Sequence, residues 1–223
     1  MTKQDSNEKY VKYAIIGFIA IALVITLVSL MPERAYVPSG QVQQPGQIQQ
    51  PATGEIDLQG VNALGDPNAP VVLVEYSSFT CPFCARHNLE TFGRIVEEYV
   101  ETGKVYYVYK HFLRNEVDGV AANAAECAGE QDMFFDYKYQ IYINQNSISN
   151  PGFFEQIASN LGLNMDSWTS CFNSGRYTQK ANADRAEGMA NGVTGTPGFI
   201  INGQLVSGAQ PFQAFQQVIE AQL

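Results

Sequence analysis

Basic side chains are scarce in this sequence: 13 Lys and Arg stand against 22 Asp and Glu, a formal net charge of −9. That balance argues against a protein that tracks nucleic-acid phosphates. Only two histidines and four cysteines are present. A structural zinc site needs four ligands, usually from a second C-x-x-C or a His pair, and neither exists here. Internal repeats are missing too, which excludes a solenoid. Long apolar runs are absent with a single exception. What remains, 45% hydrophobic and 12% aromatic residues over 223 positions, can bury the core of one ordinary domain without disulfides.

The exception is Ala14 to Met31, AIIGFIAIALVITLVSLM, in which Thr26 and Ser29 are the only polar side chains. As a helix it would span about 27 Å, close to a bilayer's hydrocarbon core. Lys3, Lys9 and Lys12 precede it, and Glu33 and Arg34 follow. The lysine bias predicts a cytoplasmic N-terminus and an extracytoplasmic remainder. The run is long for a cleaved signal and no A-x-A site follows, so the sequence favours an uncleaved signal anchor. The organisation expected is a cytoplasmic tail at 1–13, a transmembrane anchor at 14–31, a linker at 32–56 and a soluble domain at 57–223. The linker is read from Pro38, Pro45 and Pro51 and from six glutamines in the ten residues 41–50.

The soluble part alternates element types. Val71–Val74 is a continuous apolar run, expected of a strand covered on both faces. It leads through Glu75 and Tyr76 to Cys81–Pro82–Phe83–Cys84. Phe92, Ile95, Val96, Tyr99 and Val100 then recur at helical spacing. Val105–Phe112 reads as a second strand, with Tyr106, Tyr107 and Tyr109 packing on the sheet. Residues 116–191 read as several helices. One carries Phe135, Tyr139 and Tyr142 along a face, and another, capped by Asp166, carries Trp168 and Cys171. Asn202–Gly203 between Phe199–Ile201 and Leu205–Val206 predicts a two-residue hairpin. A terminal amphipathic helix is expected from Pro211 to Leu223. The order β-α-β, helical block, β-β-α is a thioredoxin-like α/β layout with an inserted helical subdomain.

A C-x-x-C at a strand-to-helix junction is a redox signal. Cys81 would sit at a helix N-terminus, where free N–H groups and the helix dipole stabilise a thiolate, the species that attacks disulfides. Cys84, one turn on, can close a disulfide with it. Thr194–Gly195–Thr196–Pro197–Gly198 precedes the third strand. Pro197 is a candidate cis-proline that would leave the Thr196 backbone free to pair with an extended substrate, although an ordinary turn fits the same residues.

With those motifs in place, residues 60–223 resemble the disulfide bond protein A (DsbA) family of thioredoxin-fold proteins. The matching segments are GDPNAPVVLVEYSSFTCPFC at 65–84, AAECAGEQ at 124–131 and GVTGTPGFIING at 192–203. The resemblance implies a thiol–disulfide oxidoreductase with Cys81 as nucleophile, Cys84 as resolving cysteine and Pro197 as cis-proline. It implies substrate proteins bearing thiols and a DsbB-like or VKOR-like membrane partner, with no metal or organic cofactor required. It places Glu75 beneath the disulfide, where it could relay the proton of Cys84, and suggests Lys110 as its partner. The family's best-known oxidants carry Pro-His inside the motif. Phe83 stands there instead and cannot donate a hydrogen bond, and Thr196 is more like the isomerase branch. A reductase or isomerase, or a non-catalytic peptide- or metal-binding module, are the alternative readings.

Cys127 and Cys171 fall in the helical block, 44 residues apart. An oxidising exterior favours a structural bridge between them, and two buried free thiols are the alternative. His87 is expected on the solvated side of the first helix.

Overall fold

A computed structural model describes residues 54–223. The expected tail, anchor and most of the linker lie outside the described residues. Among the described residues no helix is long and apolar enough to cross a membrane.

Five strands form one mixed sheet in the order β1-β3-β2-β4-β5. They are β1 (Asn62–Leu64), β2 (Val71–Ser77), β3 (Val105–His111), β4 (Gly198–Ile201) and β5 (Gln204–Ser207). β2 is central, parallel to β3 and antiparallel to β4. Every β2 residue except Val72 is buried, as the unbroken apolar run requires. β1, not foreseen in the sequence, is a three-residue edge strand antiparallel to β3 and too short to show a period. Asn202 and Gly203 close the β4–β5 hairpin with φ of 44° and 85°, the doubly positive pattern of a type I′ turn.

The helical run α1 (82–100) begins as α-helix over Pro82–His87. It widens to π-helical turns at Asn88–Phe92 and Val96–Val100, with α-helical Gly93–Ile95 between them. It crosses over between β2 and β3. Then come α2 (Glu116–Gly129), α3 (Phe134–Ile143), α4 (Phe153–Asn160), α5 (Met165–Ser174) and α6 (Thr178–Ala190), before the chain returns to β4. α7 (Phe212–Glu220) ends the fold, with Pro211 just before its first turn. The thioredoxin-like layout with a helical insertion is therefore present. The α5 cap is Asn164, whose side chain accepts from Ser167 N. Asp166, expected as the cap, lies two residues later inside the first turn.

The period-two alternation of β2 and β3 assigns each side chain to a face. Val71, Leu73, Tyr107, Phe199 and Ile201 pack against Ile95 and Tyr99 of α1 and Phe215 and Ile219 of α7. Val74, Tyr76, Val108 and Ile200 form the opposite layer. There α6 approaches so closely that a Cβ at Gly188 would meet the Tyr76 ring at 2.7 Å. The insert has its own core around Trp168, Phe134, Tyr137 and Ile141, reached by the alanine-rich face of α2. Phe79, Cys81 and Cys84 belong to that same cluster, so the dithiol lies at the seam between sheet and insert. On α3 the buried face is Phe134, Tyr137, Lys138, Ile141 and Tyr142, and Tyr139 points outward. The face read from Phe135, Tyr139 and Tyr142 is thus rotated by about one position.

Cys127 and Cys171 form a disulfide joining α2 to α5, with Cα atoms 5.7 Å apart. Arg176 and Tyr177 reach back to Glu130 across the same junction.

Candidate active site

β2 delivers the chain to the site, and a buried carboxylate fixes the turn that follows. Asp118, 1% exposed, accepts from Ser78 Oγ at 2.9 Å, Thr80 N at 2.9 Å and Arg114 N at 2.8 Å. Gln145 Nε2, just after α3, donates to Phe79 O at 2.8 Å and Cys81 O at 3.0 Å. The insert thus holds the loop that presents Cys81. Neither residue was singled out in the sequence, because a polar side chain in the first turn of a helix or in a short 3₁₀ turn has a solvated role by default.

Cys81 is the N-cap of α1 with extended backbone, and Pro82 takes the first helical position, where no N–H is needed. Both site cysteines are free thiols and buried. Cys81 Sγ donates to Thr196 O at 3.3 Å, which sets the TGTPG loop directly against the thiol. The Thr196–Pro197 peptide bond is cis. Ser78 N approaches Cys84 Sγ at 3.5 Å.

The two thiols are electrostatically unequal. A hydrogen bond from Cys84 is the largest cause pulling the Cys81 thiol down to about 5. Burial opposes it, and Thr196 and the N–H groups of Cys84 and Phe83 reinforce it. Burial pushes Cys84 well above the ordinary thiol range, and the adjacent Cys81 adds to the rise. One sulfur therefore carries charge at neutral pH and the other holds its proton. Phe83 is 54% exposed and contributes only its backbone.

Glu75 is fully buried in β2, opposite Tyr109 of β3 and Phe199 of β4. Tyr107 Oη donates to Glu75 Oε2 at 2.6 Å, while Oε1 has no partner. Lys110 is not beside it. Lys110 pairs in register with Tyr76, one step from the Glu75–Tyr109 pair, and a one-residue step on a strand turns a side chain to the other face. There Lys110 Nζ meets Glu187 at 2.8 Å, and Tyr76 Oη donates to the same carboxylate. The cation facing Glu75 is Lys138 of α3, Nζ to Oε2 3.9 Å, with no exposed surface on either side chain. Lys138 Nζ also sits 3.7 Å from the Phe92 ring centroid, 5.2 Å from Tyr109 and 5.3 Å from Phe135. These rings replace part of the lost hydration of the ammonium by cation–π attraction. Burial still dominates and lowers Lys138 to about 8, against the opposing pull of Glu75 and Cys84. The available signal was its spacing: Lys138 stands four residues after Phe134 and four before Tyr142, on the apolar stripe.

His87 is also placed differently from the expectation. It is 1% exposed, against the rings of Phe199 and Phe215 at 4.6 and 5.2 Å. It lies three residues after Cys84, which puts both on the same inward face of α1. Tyr107 and Tyr109 do pack on the sheet, fully buried, and Tyr106 is half-buried on the opposite side. Among the described residues no cluster of His, Cys, Asp and Glu could hold a metal ion.

Comparison with known proteins agrees with this architecture. A thioredoxin family model matches residues 59–221. A Rickettsia typhi protein named as a protein-disulfide oxidoreductase is 28% identical over 145 residues, 63% of this chain and 54% of its own length. A Bacillus anthracis protein named for disulfide bond formation is 26% identical over 170 residues, 72% of this chain and 77% of its own. The chain spans about half the length of the rickettsial relatives it matches. Among solved structures, α-DsbA1 of Wolbachia pipientis superimposes with a TM-score of 0.68 at 27% identity, over 74% of this chain and 92% of that one. BdbD of Bacillus subtilis, at 19% identity, shares the fold with a TM-score of 0.70 over 78% and 98% of the two chains. The chain belongs to the thioredoxin family, and within it to the DsbA-like kind with inserted helices.

Proposed function

We propose that this protein is a thiol–disulfide oxidoreductase that oxidises substrate dithiols outside the cytoplasm, tethered to the membrane by residues 14–31 through the 32–56 linker. The observation that carries the activity is the inequality of the two thiols, Cys81 drawn down to about 5 and Cys84 pushed up.

The cycle follows from it. A substrate thiolate attacks Cys81 Sγ of the Cys81–Cys84 disulfide. The S–S bond breaks, Cys84 Sγ leaves with the electron pair, and Glu75 supplies its proton. A second substrate thiolate attacks the substrate sulfur of the mixed disulfide. Cys81 departs as the thiolate its surroundings favour, the substrate leaves oxidised, and the enzyme has gained two electrons. The Thr196 backbone, beside Cys81, pairs with the extended substrate during both attacks. A DsbB-like or VKOR-like membrane protein then removes the electrons. No metal or organic cofactor is called for.

The direction is supported by the same inequality, since stabilising the reduced thiolate makes the disulfide a stronger oxidant. The absence of a donor at Phe83 favours the second reading, a reductase or isomerase on the same scaffold. Titrating the Cys81–Cys84 couple in glutathione buffers decides between them. A potential near about −120 mV supports the oxidase, and one near about −270 mV overturns it. Trapping mixed disulfides with a Cys84→Ser variant in membranes, with reporter fusions on either side of residues 14–31, tests substrates and topology together.

A further inference from the structure

Cys84 has no surface in contact with water, so no solvent meets the charge that develops on its sulfur when the disulfide opens. Two neighbouring groups, at the end of β2 and just after it, face that sulfur. Ser78 N–H approaches it at 3.5 Å, and the Ser77 hydroxyl hydrogen-bonds to it. Burial pushes Cys84 up and Cys81 adds to the rise, while Ser77 and Ser78 N pull the other way. Both donors are buried and held. Phe112 N donates to Ser77 O at 2.7 Å, and Ser78 Oγ donates to the Asp118 carboxylate at 2.9 Å.

Behind Ser77 stand two further buried hydroxyls that the cycle leaves unused. Ser77 Oγ is 3.0 Å from Tyr142 Oη, which is 3.2 Å from Tyr109 Oη. Each hydroxyl has one proton, and a thiolate only accepts. With charge on Cys84, Ser77 donates to the sulfur, so Ser77 accepts from Tyr142, and Tyr142 accepts from Tyr109. The three protons then point one way, toward Cys84, and each bond polarises the next.

We propose that Ser77 is a catalytic residue that forms, with the Ser78 N–H, a preorganised thiolate hole for Cys84, and that Tyr142 and Tyr109 are positioning residues that aim the Ser77 proton at the sulfur. The inference rests on the proposed cycle, in which Cys84 is the leaving sulfur.

In that step the substrate thiolate bonds to Cys81 Sγ, the Cys81–Cys84 bond breaks, and its electron pair stays on Cys84. Ser77 and Ser78 N stabilise the anion by hydrogen bonds and keep their own protons, and the proton of Glu75 then neutralises it. Reoxidation passes through the same charged sulfur in reverse. Donors that favour the transient anion lower the barrier in both directions. The stable end states, a disulfide and a Cys84 thiol, gain little from them.

The test measures two rates in the full chain by acid quench and alkylation: opening of the Cys81–Cys84 disulfide by glutathione, and its closing from the Cys81–glutathione mixed disulfide. The midpoint potential and the Cys81 thiolate titration are measured alongside. Ser77→Ala removes the donor and Ser77→Thr keeps it. Ser77→Ala is expected to slow both steps by the same factor, about tenfold, below the roughly hundredfold or more of an oxyanion donor because sulfur is a weaker acceptor. The potential and the Cys81 midpoint are expected to stay in place, Ser77→Thr to recover most of the rate, and Tyr142→Phe to slow both steps by a smaller common factor. Parent rates in Ser77→Ala overturn the proposal. So does a Ser77→Thr as slow as Ser77→Ala, and so does a rate loss matched by a shift in the potential or in the Cys81 midpoint, as a merely structural role would give. Failure of the underlying cycle reads differently, since Cys84→Ser would then accumulate no glutathione mixed disulfide on Cys81. Should Ser77→Ala fail to fold, Tyr142→Phe decides on the same criteria.

Discussion

Lys138 Nζ lies 3.9 Å from Glu75 Oε2, and neither side chain has any surface in contact with water. The pair links the helical insert to the central strand. Breaking a buried pair from one side costs roughly 3–5 kcal/mol, while removing both partners is often near neutral. Lys138→Met is therefore expected to lower stability by about that much, and Glu75→Gln with Lys138→Met to recover most of the loss. Urea unfolding of the two variants and the parent measures it. A double variant as unstable as Lys138→Met alone would mean that the aromatic cage, and not Glu75, is what Lys138 serves. Lys110→Met, on the other face, should cost stability through Glu187 without changing the thiol chemistry.

Cys81 should titrate with a midpoint near 5, read from the ultraviolet absorbance of its thiolate in the reduced protein. The largest cause is the Cys84 thiol, so in Cys84→Ala the midpoint moves upward, toward the ordinary thiol range. An unmoved midpoint would assign the thiolate to the helix N-terminus and Thr196 alone.

The Cys127–Cys171 bridge closes a loop of 44 residues. By the chain-entropy model its removal should cost about 3–4 kcal/mol. Cys127→Ala with Cys171→Ala is expected to lower the melting temperature while leaving the Cys81–Cys84 potential in place, since the bridge joins α2 to α5 and the dithiol belongs to α1. A large potential shift in that variant would show that the insert transmits strain to the site.

His87 gives the protein a specific acid sensitivity. Its folded value, about 4, lies below the ordinary 6.5 because burial opposes the imidazolium. Protons are then bound by the unfolded chain and not by the native one between those values. The contribution is fully present above about pH 6.5 and is lost as pH falls toward about 4, worth about 3 kcal/mol in total. Glu126, which burial raises but His111 and Lys180 outweigh to reach about 2, contributes stability that is lost from about pH 4.5 downward, mostly below that window. Unfolding measured from pH 7 to 4 should therefore slope steeply in the parent and much less in His87→Phe. Equal slopes would place the charge loss elsewhere.

Much of this site was legible in residue order. The C-x-x-C after a strand that opens on an apolar run, Pro82 at the start of a helix, the TGTPG loop and the Asn202–Gly203 hairpin each carry a local physical constraint, and each sits where that constraint puts it. Glu75 was visible as a charge in an apolar strand. Its neighbours were not. Lys110 is adjacent in sequence logic but faces away, and the strand alternation that decides this could have been read from the register of Glu75 and Lys110 only once β2 and β3 were paired.

The sequence by itself determined the fold class, the dithiol and the loop that meets it, because those depend on periodicity, turn chemistry and a helix terminus, all properties of neighbouring residues. Only the tertiary structure decided what surrounds Glu75. Lys138, Tyr107 and His87 come from three elements distant in the chain, and their meeting depends on how α1 and α3 pack on one face of the sheet. Burial turned a lysine, ordinarily a surface residue, into the cation facing that carboxylate, and set a buried histidine beside the tyrosine that donates to it. That change of environment is carried by packing and not by residue order.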